Sequence, residues 1–445
     1  MMNNQELHKT LKTKYQKFIY KNYSYKINDN SLEIEYLFDI EGLCSFRPKW
    51  IISRLNDYSD FNLNKIENLI FNLGMVELVS YYKAICCENI EIQCGYLDDK
   101  QINFYKKLYM NGLGEFFYLN GISPNEILMN LYSTKEKSNF DIASELNKND
   151  KVLVPIGGGK DSVVSIEILK NHFNICGYII NPRLATTECL NRSNINNNLI
   201  VKRQLDKQLF ELNDKGFLNG HTPFSAIVAF SSVLSAYLND FSYVALSNED
   251  SASESTIVGT SINHQYSKSF EFEKDFVNYH KEFINTNVSY FSLLRGYSES
   301  KIASLFAKHK QYHDIFKSCN VGSFTDIWCG HCSKCLFVYI ILSPFLNNDE
   351  LFNIFNKDLL DDKKLITDFQ KLCGMLPEKP FECVGSIDEV NASLQYVINS
   401  RNNDLPYLLQ YYKDNYKGIQ YNIDHIINNF NNENLIPNIF KEYLL

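Results

Sequence analysis

The stretch Val152-Leu-Val-Pro-Ile-Gly157-Gly158-Gly159-Lys160-Asp161-Ser162-Val163-Val164 decides how the chain is read. An apolar run, three glycines, a polar trio and a return to β-branched residues predict a buried strand, a loop and a helix. Backbone amides at a helix N-terminus bind phosphate, and glycines let a ligand approach the main chain closely. Two phosphate loops are excluded by spacing. A Walker loop has a glycine five residues before its second one, and Ser or Thr directly after the lysine; those positions hold Val154 and Asp161. The dinucleotide pattern fails at its third glycine, where Ser162 stands.

Outward from this loop, short apolar runs alternate with amphipathic segments, the pattern of βαβ units and a parallel sheet. Strands are expected at Val152–Ile156, Ile175–Asn181 and Tyr243–Ser247. Helices are expected at Ser162–His172, Asn198–Asn213 and Pro223–Leu238, the last apolar almost throughout and therefore buried. Upstream, Ser31–Phe38 alternates as a strand, while Lys65–Cys86 and Gln101–Tyr118 carry helical spacing. A polar bridge, Ser133–Asp150, separates the two patterns. After Leu346 the chain reads as helices with Asn-rich turns. The expected organisation is an α+β region over 1–147, an α/β parallel-sheet domain over 148–345 and a mainly helical region over 346–445.

The 44 basic and 52 acidic residues leave a net charge of −8, with no basic stripe to suggest nucleic acid. At 45% hydrophobic and 22% charged residues the chain has a globular composition. The polar start, Met1–Tyr15, does not read as a targeting segment, and Leu336–Leu346 is too short to span a bilayer. The cytoplasm is the expected compartment. Among twelve cysteines, Cys329, Cys332 and Cys335 form C-x2-C-x2-C, with Cys319 ten residues before. Four thiolates complete a tetrahedral zinc site and leave no position for water, so such a site is structural. An iron–sulfur cluster and unligated buried cysteines are the alternatives.

Four polar segments remain. Gly220-His221-Thr222-Pro223 precedes the buried helix, and Ser247-Asn248-Glu249 ends a strand, where open α/β sheets bind ligands. Asn263–Glu271, with His264 and Lys268, is too polar to be wholly core, although a solvated helix start would read alike. Lys379-Pro-Phe-Glu-Cys383-Val-Gly385 divides evenly between turn and site.

The glycine stretch resembles the Ser-Gly-Gly-x-Asp-Ser pyrophosphate loop (PP-loop) of the ATP pyrophosphatase superfamily, whose adenine nucleotide α-hydrolase-like domain cleaves ATP to AMP and pyrophosphate. Gly158, Gly159, Asp161 and Ser162 match, and Gly157 replaces the leading serine, removing one hydroxyl. The cysteine spacing is similar to the zinc site of the 7-cyano-7-deazaguanine synthases of that superfamily. With Gly74-Met-Val-Glu77, Gly112-Leu-Gly-Glu115-Phe-Phe and Lys379–Gly385, most of the chain resembles the UDP-N-acetyl-α-D-muramoyl-L-alanyl-L-glutamate epimerase family of peptidoglycan biosynthesis.

That resemblance implies ATP- and magnesium-dependent inversion of the terminal L-glutamate of a small-molecule, UDP-linked muramoyl dipeptide, with a structural zinc ion. Gly157, Gly158, Gly159, Lys160, Asp161 and Ser162 are the expected ATP residues, with Asp161 also near magnesium. His264, Lys268 and Cys383 are the proton-transfer candidates, and Glu249 a metal or substrate ligand. The rivals are an amide- or nitrile-forming ligase, a tRNA-thiolating enzyme and a nucleotide-binding scaffold with a degenerate loop. A glutamine-dependent synthetase would carry cysteine where Met2 stands.

Overall fold

The strand Ser31–Ile40 buries every second residue, Leu32, Ile34, Tyr36, Phe38 and Ile40, as alternation demands of a sheet with one covered face. A computed structural model describes residues 3–55, 61–143, 148–257, 260, 262–323, 325–401 and 404–444. Met1, Met2 and the expected boundary at 147, within 144–147, lie outside them. The chain divides into two interleaved units. The first holds residues 1–153, 199–244 and 266–290; the second holds 154–198, 245–265 and 291–445.

In the first unit Ser31–Ile40 pairs antiparallel with Lys17–Ile27, Cys44–Phe46 and Lys49–Ser53. Lys17–Ile27 pairs in parallel with Asn89–Ile92, which pairs in parallel with Asn130–Ser133. The sheet is therefore mixed. Helix Leu63–Glu77 covers its buried face. Tyr36 donates to the Ile70 carbonyl at 3.0 Å, and a Cβ at Gly74 would overlap the Tyr20 ring. Buried Asn72 accepts from Tyr105 at 2.6 Å and Tyr279 at 2.5 Å, tying three helices together.

One expected helix is instead a strand followed by a helix. Asn198–Gln204 is extended and pairs antiparallel with Lys49–Ser53, and Lys207–Asp214 starts at the N-cap Asp206. The adjacent Ile200 and Val201 favour the pleated conformation. Pairing also sets Arg203 opposite Trp50, where its guanidinium meets the wholly buried Glu77 at 2.8 Å and 3.1 Å and Ser80 Oγ at 2.7 Å. Burial pushes the Glu77 carboxyl upward, and Arg203 opposes it.

In the second unit Ile156 donates to the Tyr178 carbonyl of strand Asn174–Ile180, extending the run out of strand Lys151–Pro155. Helix Lys160–Leu169 packs against Glu299–Phe306. The wholly buried helix Ser333–Leu342 packs against Glu299–Phe306, Ile366–Leu372 and Ile387–Ser400. The C-terminal segment belongs to this unit, with Phe440 stacked on Phe173 at 4.4 Å between ring centres. No helix of the described residues is long and apolar enough to cross a membrane.

Replacing Arg203 by methionine leaves Glu77 buried without its cation. Stability should fall by roughly 3–5 kcal/mol, read from denaturant midpoints, and Glu77→Leu in the same chain should restore part of it.

Candidate active site

Gly158 has φ +83°, a left-handed conformation that favours glycine, and Gly159 is the N-cap of helix Lys160–Leu169. A Cβ at Gly158 would come within 3.1 Å of Ala185, and one at Gly159 within 2.8 Å of Ser318 Oγ. At Gly157 it would meet nothing within 4 Å. Backbone conformation thus favours glycine at the second position, a side chain at the third would have to displace the Ser318 hydroxyl, and the first faces open space. The loop carbonyls are tied back: Lys317 N–H donates to Gly158 at 2.8 Å, and Arg183 donates to Gly157 at 3.2 Å. With glycine as N-cap, the cap residue offers no side chain to the amides of the first helical turn.

Lys160 turns inward rather than toward the loop opening. It is 1% exposed, and its ammonium donates to Asp161 and to Glu299, itself 2% exposed. Burial works against the Lys160 charge, but the two carboxylates outweigh it and hold its pKa above the usual range. Burial pushes the Glu299 carboxyl upward, against Lys160, and Asp161 and Glu249 push the same way. Buried Glu249 follows a strand end, where Arg295 donates to its carbonyl at 2.5 Å.

The described residues of 250–257 and 262–265 are cross-linked to 378–385. Lys379 donates through its backbone to Thr256 at 3.0 Å and through Nζ to Glu254 at 2.6 Å. His264 N–H donates to Thr256 Oγ1 at 3.0 Å, and Gln265 to the Val384 carbonyl at 3.2 Å. The Cys383 carbonyl accepts from Lys334. Burial pushes the Glu382 carboxyl up to about 7, helped by Cys332, while Lys334 and His264 oppose.

The sulfurs of Cys319, Cys329, Cys332 and Cys335 lie within 4.8 Å of one another, so these residues could hold one metal ion. Three separations are 3.9, 3.7 and 3.5 Å. Both flanks of the cluster reach segments singled out in the sequence. Lys317 and Ser318, next to Cys319, meet the glycine loop, and Lys334, between Cys332 and Cys335, meets Cys383.

The glycine loop, Asp161, Glu249, His264, Cys383 and the four thiols are thus all in the second unit. Lys268 ends a short 3-10 turn of the first unit. That unit also brings two sequence-distant motifs together, with His221 Nδ1 at 3.4 Å from Glu115 Oε2. Sequence reasoning missed Glu299, Lys334 and Arg183 as members of the loop's surroundings. Lys334 had a usable signal, its place inside C-x2-C-x2-C. Glu299 had none, because its partner lies 139 residues away.

Residues 9–293 match the family model of the MurL N-terminal domain, and residues 315–422 that of the MurL C-terminal domain. The chain is 36% identical over 341 residues to the UDP-N-acetyl-alpha-D-muramoyl-L-alanyl-L-glutamate epimerase of Xanthomonas oryzae pv. oryzae, covering 73% of each chain. It is 34% identical over 339 residues to the protein of that name from Micromonospora sp., covering 74% of this chain and 75% of the relative. With that of Salinispora tropica it shares 32% over 338 residues, 74% and 73% of the two chains. No solved structure matches.

Elemental analysis of the purified protein should find one metal ion per chain at the cysteine cluster. Cys332→Ser should lose it and melt at lower temperature, because thiolate–metal bonds also stabilise the fold.

Proposed function

Because the chain belongs to the MurL family of UDP-N-acetyl-α-D-muramoyl-L-alanyl-L-glutamate epimerases, we propose that it activates its substrate with ATP in order to invert one carbon centre. The protein is an enzyme, an epimerase. The proposed substrate is the UDP-linked muramoyl dipeptide, whose terminal L-glutamate becomes D-glutamate, and the expected compartment is the cytoplasm. The observation that carries the activation step is the glycine loop at the open N-terminus of helix Lys160–Leu169.

The chemistry supplies the reason for ATP. A free α-carboxylate makes its neighbouring C–H a very weak acid, since removing the proton sets charge beside an anion. Attack of that carboxylate on the α-phosphorus of ATP expels pyrophosphate and leaves an acyl adenylate. Its carbonyl can delocalise the carbanion as an enolate. A base then takes the α-proton, an acid returns one to the opposite face, and water cleaves the adenylate to give the D-centre and AMP.

In this reading the helix-start amides around Gly157, Gly158 and Gly159 and the Ser162 hydroxyl hold the phosphates. Asp161, with its side chain 34% exposed, is the residue to meet magnesium, which offsets phosphate charge. Lys160 serves the loop through its carboxylate partners. Glu249 is the metal or substrate ligand, and His264, Lys268 and Cys383 are the proton-transfer candidates. For the cysteine cluster we propose zinc. Thiolates 2.3 Å from a tetrahedral ion stand about 3.8 Å apart, close to the separations found, whereas an iron–sulfur core would spread them further.

Incubation with the dipeptide, ATP and magnesium should yield AMP and pyrophosphate, separated by chromatography, and Asp161→Ala should abolish turnover while the protein stays folded. Accumulation of ADP and phosphate would rule out the adenylation reading. In deuterated water, solvent deuterium should enter at Cα only when ATP is present. Loss of that exchange in a His264, Lys268 or Cys383 variant that still exchanges pyrophosphate into ATP would identify a proton-transfer group. ATP cleavage with amide or nitrile formation, and no deuterium at Cα, would favour a ligase.

A further inference from the structure

Two carboxylates meet the Lys160 ammonium, and they are not equivalent. Glu299 is sealed at the start of helix Glu299–Phe306, whose Ser300 N–H donates to buried Glu389 at 3.2 Å. Asp161 lies at the edge of the glycine loop, and its side chain is 34% exposed while that of Glu299 is 3% exposed. Only Asp161 can therefore meet a hydrated cation from solvent. One ammonium is thus shared between two carboxyl groups. Glu249 adds negative potential at Glu299, and Lys334 subtracts from it.

With Asp161 as its sole partner, the buried ammonium would neutralise that carboxylate and compete with any divalent cation for its oxygens. Glu299 takes a share of the ammonium from the opposite, sealed side. We propose that Glu299 is a positioning residue of the nucleotide site: it draws Lys160 inward and keeps the Asp161 carboxylate available to a magnesium–ATP complex. The inference rests on the nucleotide reading above and assigns a part in it to a residue remote from the loop in sequence.

The test is a magnesium titration of ATP binding to the full-length protein by calorimetry, joined to the magnesium dependence of AMP release. Glu299→Gln removes one negative charge at nearly constant shape. It should raise the magnesium concentration for half-maximal binding roughly tenfold or more, while kcat at saturating magnesium changes little. Glu299→Asp, which keeps the charge but shortens its reach to Lys160, should raise the requirement less, by about threefold. A Glu299→Gln protein with unchanged magnesium dependence, or one that loses only kcat or thermal stability, overturns the proposal. Should Glu299→Gln fail to fold, Glu299→Asp carries the test alone, because the shorter side chain should loosen the pair and raise the magnesium requirement about threefold; no shift would then overturn it. A wild-type protein that takes up no ATP at any magnesium concentration overturns the nucleotide reading itself, and this inference with it. That result is distinct from a variant that binds ATP with an unshifted requirement.

Discussion

An ammonium group sealed from water keeps its charge only where carboxylates stand close enough to replace its hydration. Lys160 meets that condition through Asp161 on one side and Glu299 on the other. The pairing sets helix Lys160–Leu169 against helix Glu299–Phe306 and fixes which way the first turn after the glycines faces. The loop depends on that arrangement. A Cβ at Gly158 would crowd Ala185 and one at Gly159 the Ser318 hydroxyl, while Gly157 keeps open space beside it. A loop so constrained presents its amides in one geometry, which preorganised binding of a polyanion requires.

The cysteine cluster extends this constraint to the rest of the second unit. Cys319 directly follows the residues that touch the glycine loop, and Cys332 and Cys335 flank the lysine that reaches Cys383. A metal held by these four thiols would tie the neighbours of the glycine loop to the segment around Cys383 with one set of bonds. Residues 250–257 and 262–265 are linked to 378–385 through main chain and side chain alike, by Thr256, Lys379, Glu254 and Gln265. Burial pushes the half-buried Glu382 carboxyl upward, and Lys334 and His264 oppose it.

Several features were legible because they are local. The glycine loop could be read from its strand–loop–helix setting, the four-thiol cluster from its spacing, and helix Phe224–Leu238 from its near-continuous apolar surface. The segment from Asn198 misled, since Leu199, Leu209 and Leu212 support a helical face while Ile200 and Val201 support a strand. Pairing of Trp50 with Arg203, more than 150 residues apart in the chain, settled it. Strand Lys17–Ile27 escaped notice because its second half is polar and half exposed, Lys21-Asn-Tyr-Ser-Tyr-Lys26, and only its pairing gives it order.

What the sequence by itself determined was a glycine loop between a strand and a helix, a four-thiol cluster and a family resemblance that spans both halves of the chain. Such signals consist of residues a few positions apart, whose chemistry follows from spacing. Tertiary structure alone decided where charge resides. Glu299 in sequence is an ordinary acidic residue at a helix start, and Lys160 an ordinary loop lysine. Burial turned them into a pair whose charges depend on each other, and burial is a property of segments brought together from 139 residues apart. Short-range patterns report which groups a chain carries, but the electrostatic energy of a group depends on all that surrounds it.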